Sequence, residues 1–178
     1  MKKPKVHSSR FIYQGFFDVR QDFLEGNNGV KDHYTSLVLS SYGVVVLAQD
    51  EAGRWILNRE YRHPTGGYLL GCPGGRLNEG EDPIEAGKRE LLEETGYWVE
   101  ELHLVGTSYP LPSVCNQRIH FLYGKGGVLK GKQALEAFEF IEPVLKTDVE
   151  LRKEIREGTA VDTLLCAALW YKDHSKFN

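Results

Sequence analysis

Residues 74–97 read GGRLNEGEDPIEAGKRELLEETGY, and this stretch decides how the rest of the chain is understood. Pro73, Gly74, Gly75 and Gly80 leave no room for a regular element, so the entry is a loop. A helix then has clear start and stop signals. Asp82 is a good N-cap, Pro83 sits at the first helical position and Glu85 completes a capping-box pattern, while Gly96 ends the helix. On that helix Glu90, Glu93 and Glu94 fall at i, i+3 and i+4, so their carboxylates emerge on one face. Arg89, four residues before Glu93, is placed to pair with it.

Three carboxylates so close raise one another's pKa unless something compensates them. A hard divalent cation, Mg²⁺ or Mn²⁺, resolves the conflict, because it takes oxygen ligands and shares them with phosphate oxygens and water. Such ions neutralise a diphosphate and lower the pKa of a water nucleophile. By itself, a Glu-rich helix with an arginine is an ordinary solvated face. The glycine-rich entry separates the two readings, since it lets backbone approach a ligand or metal closely.

Outward from this centre the chain is mostly β before the helix and β then α after it. Residues 1–35 mix aromatic and polar residues around a turn at Glu25-Gly26-Asn27-Asn28-Gly29, which predicts two short strands. Ser36 to Gln49 is one or two buried strands, Trp55 to Glu60 returns from a turn at Asp50-Glu51-Ala52-Gly53, and Tyr68 to Gly71 is a further short strand. Beyond the helix, strands are expected at Leu102 to Tyr109, Ile119 to Tyr123 and Phe138 to Val144, with helices at Lys146 to Arg156 and Val161 to Lys172. That order predicts an α+β fold or a layered α/β/α arrangement.

The bulk properties set bounds. At 178 residues, without repeat or linker, the chain is expected to form one domain. A net charge of -3 provides no basic field, which argues against duplex nucleic acid as a partner. Cys72, Cys115 and Cys166 are widely spaced, fitting neither a disulfide framework nor a zinc site. No run of 18 apolar residues and no signal-type segment occurs, so a cytoplasmic protein without a membrane partner is expected.

The quoted stretch also resembles the box of the Nudix hydrolases: G, five residues, E, seven residues, REU, one residue, EE, one residue, GU, with U bulky and apolar. Gly75, Glu81, Arg89-Glu90-Leu91, Glu93-Glu94 and Gly96-Tyr97 fill every position. Seven of these are specified outright, so a chance match in one register is roughly one in 10⁹ at average residue usage. The resemblance implies a Nudix fold, an α/β/α sandwich with a mixed β-sheet and the loop-helix-loop, preceded by an N-terminal β segment. It implies metal binding by Glu90, Glu93 and Glu94, with the Gly74 carbonyl completing the coordination and Glu93 also a candidate base. Arg89 is implied to orient a glutamate, and Glu81 to be a further acid near the metals.

The flanks are similar to the ADP-ribose (ADP-sugar) pyrophosphatase branch. EYRHPTGGYLLGCPGG (60–75) resembles the stretch those proteins carry before their box, and YPLPSVCNQRIHF (109–121) resembles the segment they carry after it. Pro112 falls fifteen residues beyond Tyr97, near the proline that marks the branch. Arg62 matches an arginine that contacts the nucleotide or diphosphate, a task its guanidinium fork suits. Tyr34 stands where similar proteins place an aromatic ring against adenine. With Gly75, these are the candidate substrate-binding residues.

There are departures from that pattern. Asn116-Gln117 stand where many members carry a glutamate, and neither amide is a base near neutral pH. In related enzymes the catalytic glutamate comes from the loop before the last strand, which makes Glu136 and Glu139 candidates here. Gly71 replaces a frequent glutamate, Leu39 stands near a missing arginine, and Gly87 replaces a helix-favouring alanine at about 1 kcal/mol of propensity. The expected activity is metal-dependent hydrolysis of a nucleoside diphosphate sugar, ADP-ribose to AMP and ribose 5-phosphate first. The alternatives are a dinucleoside polyphosphate, GDP-mannose, or a nucleotide-binding sensor without turnover. The resemblance also implies a homodimer, with residues 1–35 as the candidate dimerisation element.

Overall fold

Glu25-Gly26-Asn27-Asn28-Gly29 turns the chain as its composition requires, with the Gly29 N–H donating to the Gly26 carbonyl at 3.0 Å. It joins two of the three antiparallel strands that open the chain: β1 (Lys5–Tyr13), β2 (Asp18–Glu25) and β3 (Lys31–Val38), in that order. β1 is a strand the sequence pattern did not single out, because it has no buried face. All nine of its residues are exposed, among them Val6, Phe11, Ile12 and Tyr13. The computed structural model describes residues 2–177, whose contacts divide into two units. This three-stranded sheet and Tyr109–Arg118 belong to the first unit.

The second unit, Gly43–Ser108 with the chain from Ile119 on, is built on β4 (Gly43–Asp50). Its GVVVLAQD is apolar on both faces and buried at seven of eight positions, the mark of a central strand. Around it lie β5 (Trp55–Arg62), β6 (Gly67–Gly71), β7 (Tyr97–Trp98), β8 (Leu102–Ser108), β9 (Ile119–Leu129) and β10 (Ile141–Lys146). The order is β10-β5-β4-β9-β7, with β6 on β5 and β8 on β9. β4 and β9 run parallel and the other pairs antiparallel, so the sheet is mixed. The last strand begins at Ile141 rather than Phe138, because Glu136 and Glu139 close a turn just before it.

Helices cover both faces: α1 (Pro83–Thr95) on one, α2 (Asp148–Arg156) and α3 (Thr163–Asp173) on the other. Alternation along the strands sorts the core. Val44, Val46, Ala48, Ile56 and Leu122 pack with Ala86 and Leu91 of α1. Val45, Leu47, Trp55, Leu57 and Phe121 pack with Leu151, Leu165 and Leu169. This is the layered α+β arrangement expected from the element order. No described helix is long and apolar enough to cross a membrane.

One break in the sheet creates the site. β4 and β5 pair only at Ala48–Ile56 and Gln49–Trp55. Past that point β5 runs between β10 and β6, and the edge of β4 it vacates is taken by the glycine loop. The Val46 N–H donates to the Pro73 carbonyl at 2.8 Å and the Val44 N–H to Gly75 at 2.9 Å. A Cβ on Gly74 would fall 2.2 Å from the Val44 carbonyl oxygen, so only glycine passes there.

The loop hands over to α1 as the start signals predict, with one correction. Asp82 accepts from the Ile84 N–H at 2.8 Å, Pro83 opens the helix and Gly96 (φ 76) ends it with its N–H on the Leu92 carbonyl. Glu85 does not reach back to complete a capping box; it lies 3.4 Å from Lys88. The capping box is found on α2, between Thr147 and Glu150. Gly87 has a packing reason: a Cβ there would sit 2.3 Å from Leu122 Cδ1 of β9 and 3.1 Å from Val46 Cγ2 of β4. Gly87→Ala should therefore destabilise the protein by about 1–3 kcal/mol through overpacking, although alanine is the better helix former. Denaturant unfolding measures this, and a more stable variant would show that the helix can move away.

Candidate active site

Arg89 is the hub of the site. Its Nε and Nη2 grip Glu81 through both carboxylate oxygens at 2.9 and 3.0 Å, and Nη2 also donates to the Arg76 carbonyl at 3.0 Å. Nη1 reaches Glu90 Oε1 at 2.8 Å and Glu93 Oε2 at 3.1 Å. The pairing with Glu93 was expected from the spacing; the hold on Glu81 and Glu90 was not legible. Glu81 is thereby held below the usual carboxylate range by Arg89, with help from the Asn78 N–H. It ties loop to helix.

Glu90 and Glu94 turn inward on α1, while Glu93 stays about 42% exposed. Burial raises the carboxyl of Glu90, against the opposing pull of Arg89, and neighbouring Glu93 and Glu139 add to the rise. Glu94 is pushed up to about 8, by burial first and then by the charges of Glu90, Glu60 and Glu139. Two donors hold Glu94 Oε2: the Gly74 N–H and Asn58 Nδ2, each at 2.8 Å. Gly75 is where the loop passes over this pair, since a Cβ there would lie 2.5 Å from the Glu90 carboxyl. The Gly74 carbonyl accepts no backbone hydrogen bond among the described residues.

β5 brings two further polar side chains that the sequence reading passed over, Asn58 and Glu60. Both follow Ile56 at two-residue spacing, and Ile56 belongs to the core facing α1. That alternation was the available signal. Glu60 is raised by burial and by Glu139 and Asp162, and lies 2.5 Å from Arg62. Arg62 also approaches Asp162 to 3.9 Å. Arg62, Asp162, Gly74 and Gly75 line one cavity of about 170 Å³ together with Val44, Cys72 and Leu164. Of the two candidate bases, Glu139 is the one whose charge reaches Glu60, Glu90 and Glu94. Glu136 is exposed, and its N–H donates to Glu139 Oε2 at 2.8 Å.

Tyr34 and Pro112 lie in the first unit and line a larger cavity there, of about 580 Å³. The Tyr34 hydroxyl donates to the Ser113 carbonyl. Asn116 has a structural task in the same unit: its Oδ1 accepts from the Leu39 N–H at 2.8 Å and its Nδ2 donates to the Leu39 carbonyl at 3.1 Å. Leu39 and Asn116, both among the positions that depart from the resembled pattern, are thus partners.

The donor set on α1 fits a hard divalent cation. Glu90 and Glu94 are inward-facing oxygen donors with charge that Arg89 only partly compensates, under a loop thinned to glycine at Gly75. Among the described residues no three His, Cys, Asp or Glu side chains already surround one point in metal-holding geometry. An ion that keeps several waters and shares phosphate oxygens does not require such a cage.

The chain is similar to known proteins. Residues 40–158 match the family model described as the NUDIX domain. The chain is 31% identical over 170 residues to the ADP-ribose pyrophosphatase of Bacillus subtilis (strain 168), covering 95% of this chain and 89% of that one. It is 30% identical over 172 residues to the methanol dehydrogenase activator of Bacillus methanolicus, covering 96% and 90%. A crystal structure of an ADP compounds hydrolase shares the fold, with a TM-score of 0.86 at 22% identity over 97% of this chain and 94% of that one. The chain belongs to the Nudix family and is a Nudix hydrolase, a group that generally uses divalent metal ions.

The buried charge has a consequence for stability. Glu94 is raised from 4.5 to about 8 in the metal-free fold, so the fold retains a proton that the unfolded chain loses between those values. Its favourable contribution is complete below about 4.5 and is lost as pH rises through 8. Glu94→Gln, which keeps the shape and cannot ionise, should match the wild-type melting temperature in EDTA at acid pH and exceed it above pH 8. An equal or lower melting temperature at alkaline pH would contradict the account.

Proposed function

We propose that the chain hydrolyses the diphosphate bond of a nucleoside diphosphate sugar, with ADP-ribose, cleaved to AMP and ribose 5-phosphate, as the leading substrate. The observation that carries this reading is the shared cavity of Arg62, Gly74 and Gly75, which sets a guanidinium fork beside the glycine loop that contacts Glu90 and Glu94. The relative named ADP-ribose pyrophosphatase, similar along nearly its whole length, supports the choice of substrate.

Glu90, Glu94 and the Gly74 carbonyl would hold Mg²⁺ or Mn²⁺, with Glu93 as a further ligand. When bound, such ions supply charge neutralisation at the diphosphate and a water of lowered pKa. The chain's own residues do the rest. Arg62 orients the diphosphate, exchanging its contact with Glu60 for phosphate oxygens. Arg89 keeps Glu90 and Glu93 in place, and Glu139 takes the proton of the attacking water. Glu93, tied to Arg89, is the second choice for that step.

Purified protein with Mg²⁺ should release AMP from ADP-ribose, and EDTA should abolish the release. Glu94→Gln and Glu139→Gln should each lose roughly 10²–10⁴-fold in kcat, the range of an acid–base or charge-stabilising group. Absence of AMP from the wild type across Mg²⁺ and Mn²⁺ would overturn the substrate, and an active Glu139→Gln would return the base to Glu93.

The apolar side chains exposed on β1 support assembly of two copies through the first unit. Sedimentation should show a dimer that Phe11→Glu or Ile12→Glu weakens; a monomeric wild type would refute it. The unpaired cysteines suit a reducing compartment, which favours the cytoplasm.

A further inference from the structure

We infer that Asn58 is the positioning residue for Glu94: it fixes one oxygen of that carboxylate so that the other faces the metal. The inference rests on the reading of α1 as the metal-binding helix. Asn58 has 1% of its surface exposed and is as deeply buried as Trp55, Ile56 and Leu57 before it. Its backbone is paired on both sides, opposite Gly71 of β6 and Pro143 of β10, so the side chain leaves a rigid point of the sheet.

Nδ2 donates to Glu94 Oε2 at 2.8 Å, and the Gly74 N–H donates to that same oxygen at 2.8 Å. Donors from two separate segments, a strand and the glycine loop, converge on Oε2. Oε1 accepts no hydrogen bond among the described residues and is the oxygen left for an ion. With an ion bound the carboxylate is ionised and only accepts, so the amide must then present its nitrogen.

The other half of the amide shows what Asn58 is there for. Its Oδ1 is buried and has no hydrogen-bond partner among the described residues. A position filled for packing alone takes an apolar side chain, which strands no polar atom. Asn58 accepts that penalty and gains one thing in return, the donor aimed at Glu94. Outer partners of this kind set the orientation and basicity of a ligand without touching substrate.

The test is Mn²⁺ binding followed by electron paramagnetic resonance, without nucleotide, on wild type, Asn58→Leu and Asn58→Ala. Leucine keeps the volume and removes the donor; alanine covers the case in which leucine does not fit. We expect Mn²⁺ affinity to fall about 10–100-fold and kcat to fall with it. KM for ADP-ribose and the metal-free melting temperature of Asn58→Leu should stay close to wild type. Variants that bind Mn²⁺ as wild type does, whether or not they melt earlier, would overturn the inference and leave the metal reading standing. A wild type that binds no Mn²⁺ would overturn the metal reading and this inference with it.

Discussion

The guanidinium of Arg89 holds one end of the site together. Glu81, Glu90 and Glu93 would repel one another without it, and their shared cation lets the loop and α1 close on each other. The grip is two-pronged on Glu81 and single on the helix glutamates, so the arginine is a brace between loop and helix more than a simple counter-ion. Glu94 stays outside this brace. Among the described residues it has two hydrogen bonds from neutral donors and no ion pair, which is why burial acts on it so strongly.

The brace works because the sheet opens beside it. β5 leaves β4 after one short stretch of pairing, and the loop from Pro73 fills the vacated edge with its own hydrogen bonds. A loop that must lie against both a strand and a carboxylate cannot carry side chains at the points of contact. Gly74 answers to the Val44 carbonyl and Gly75 to the Glu90 carboxyl. The two adjacent glycines of the loop are therefore explained by two different neighbours. Arg62 and Asp162 border the same opening, which places opposite charges around one small cavity.

Local chemistry was legible in the sequence, and neighbour-dependent chemistry was not. The start of α1 at Pro83 and its end before Gly96 follow from cap residues that act within one turn. The shared face of Glu90, Glu93 and Glu94 follows from helical period alone. Glu85 was misread because a capping box needs its side chain to turn back, and here Lys88 draws it forward. Gly87 looked like a weak point of the helix until Leu122 supplied the reason for it. Asn58 and Asn116 are amides whose roles depend on residues 36 and 77 positions away, beyond any local pattern. β1, exposed along its length, offered no alternation to read.

Family membership shows a hydrolase, and the buried carboxylates of α1 suit a divalent cation. Anomalous diffraction from crystals soaked in Mn²⁺ locates that cation most directly. The account predicts a peak within coordination distance of Glu94 Oε1, the Glu90 carboxylate and the Gly74 carbonyl, with Oε2 of Glu94 still held by Asn58 and Gly74. A bound Mn²⁺ that lies away from Glu90 and Glu94 would contradict it.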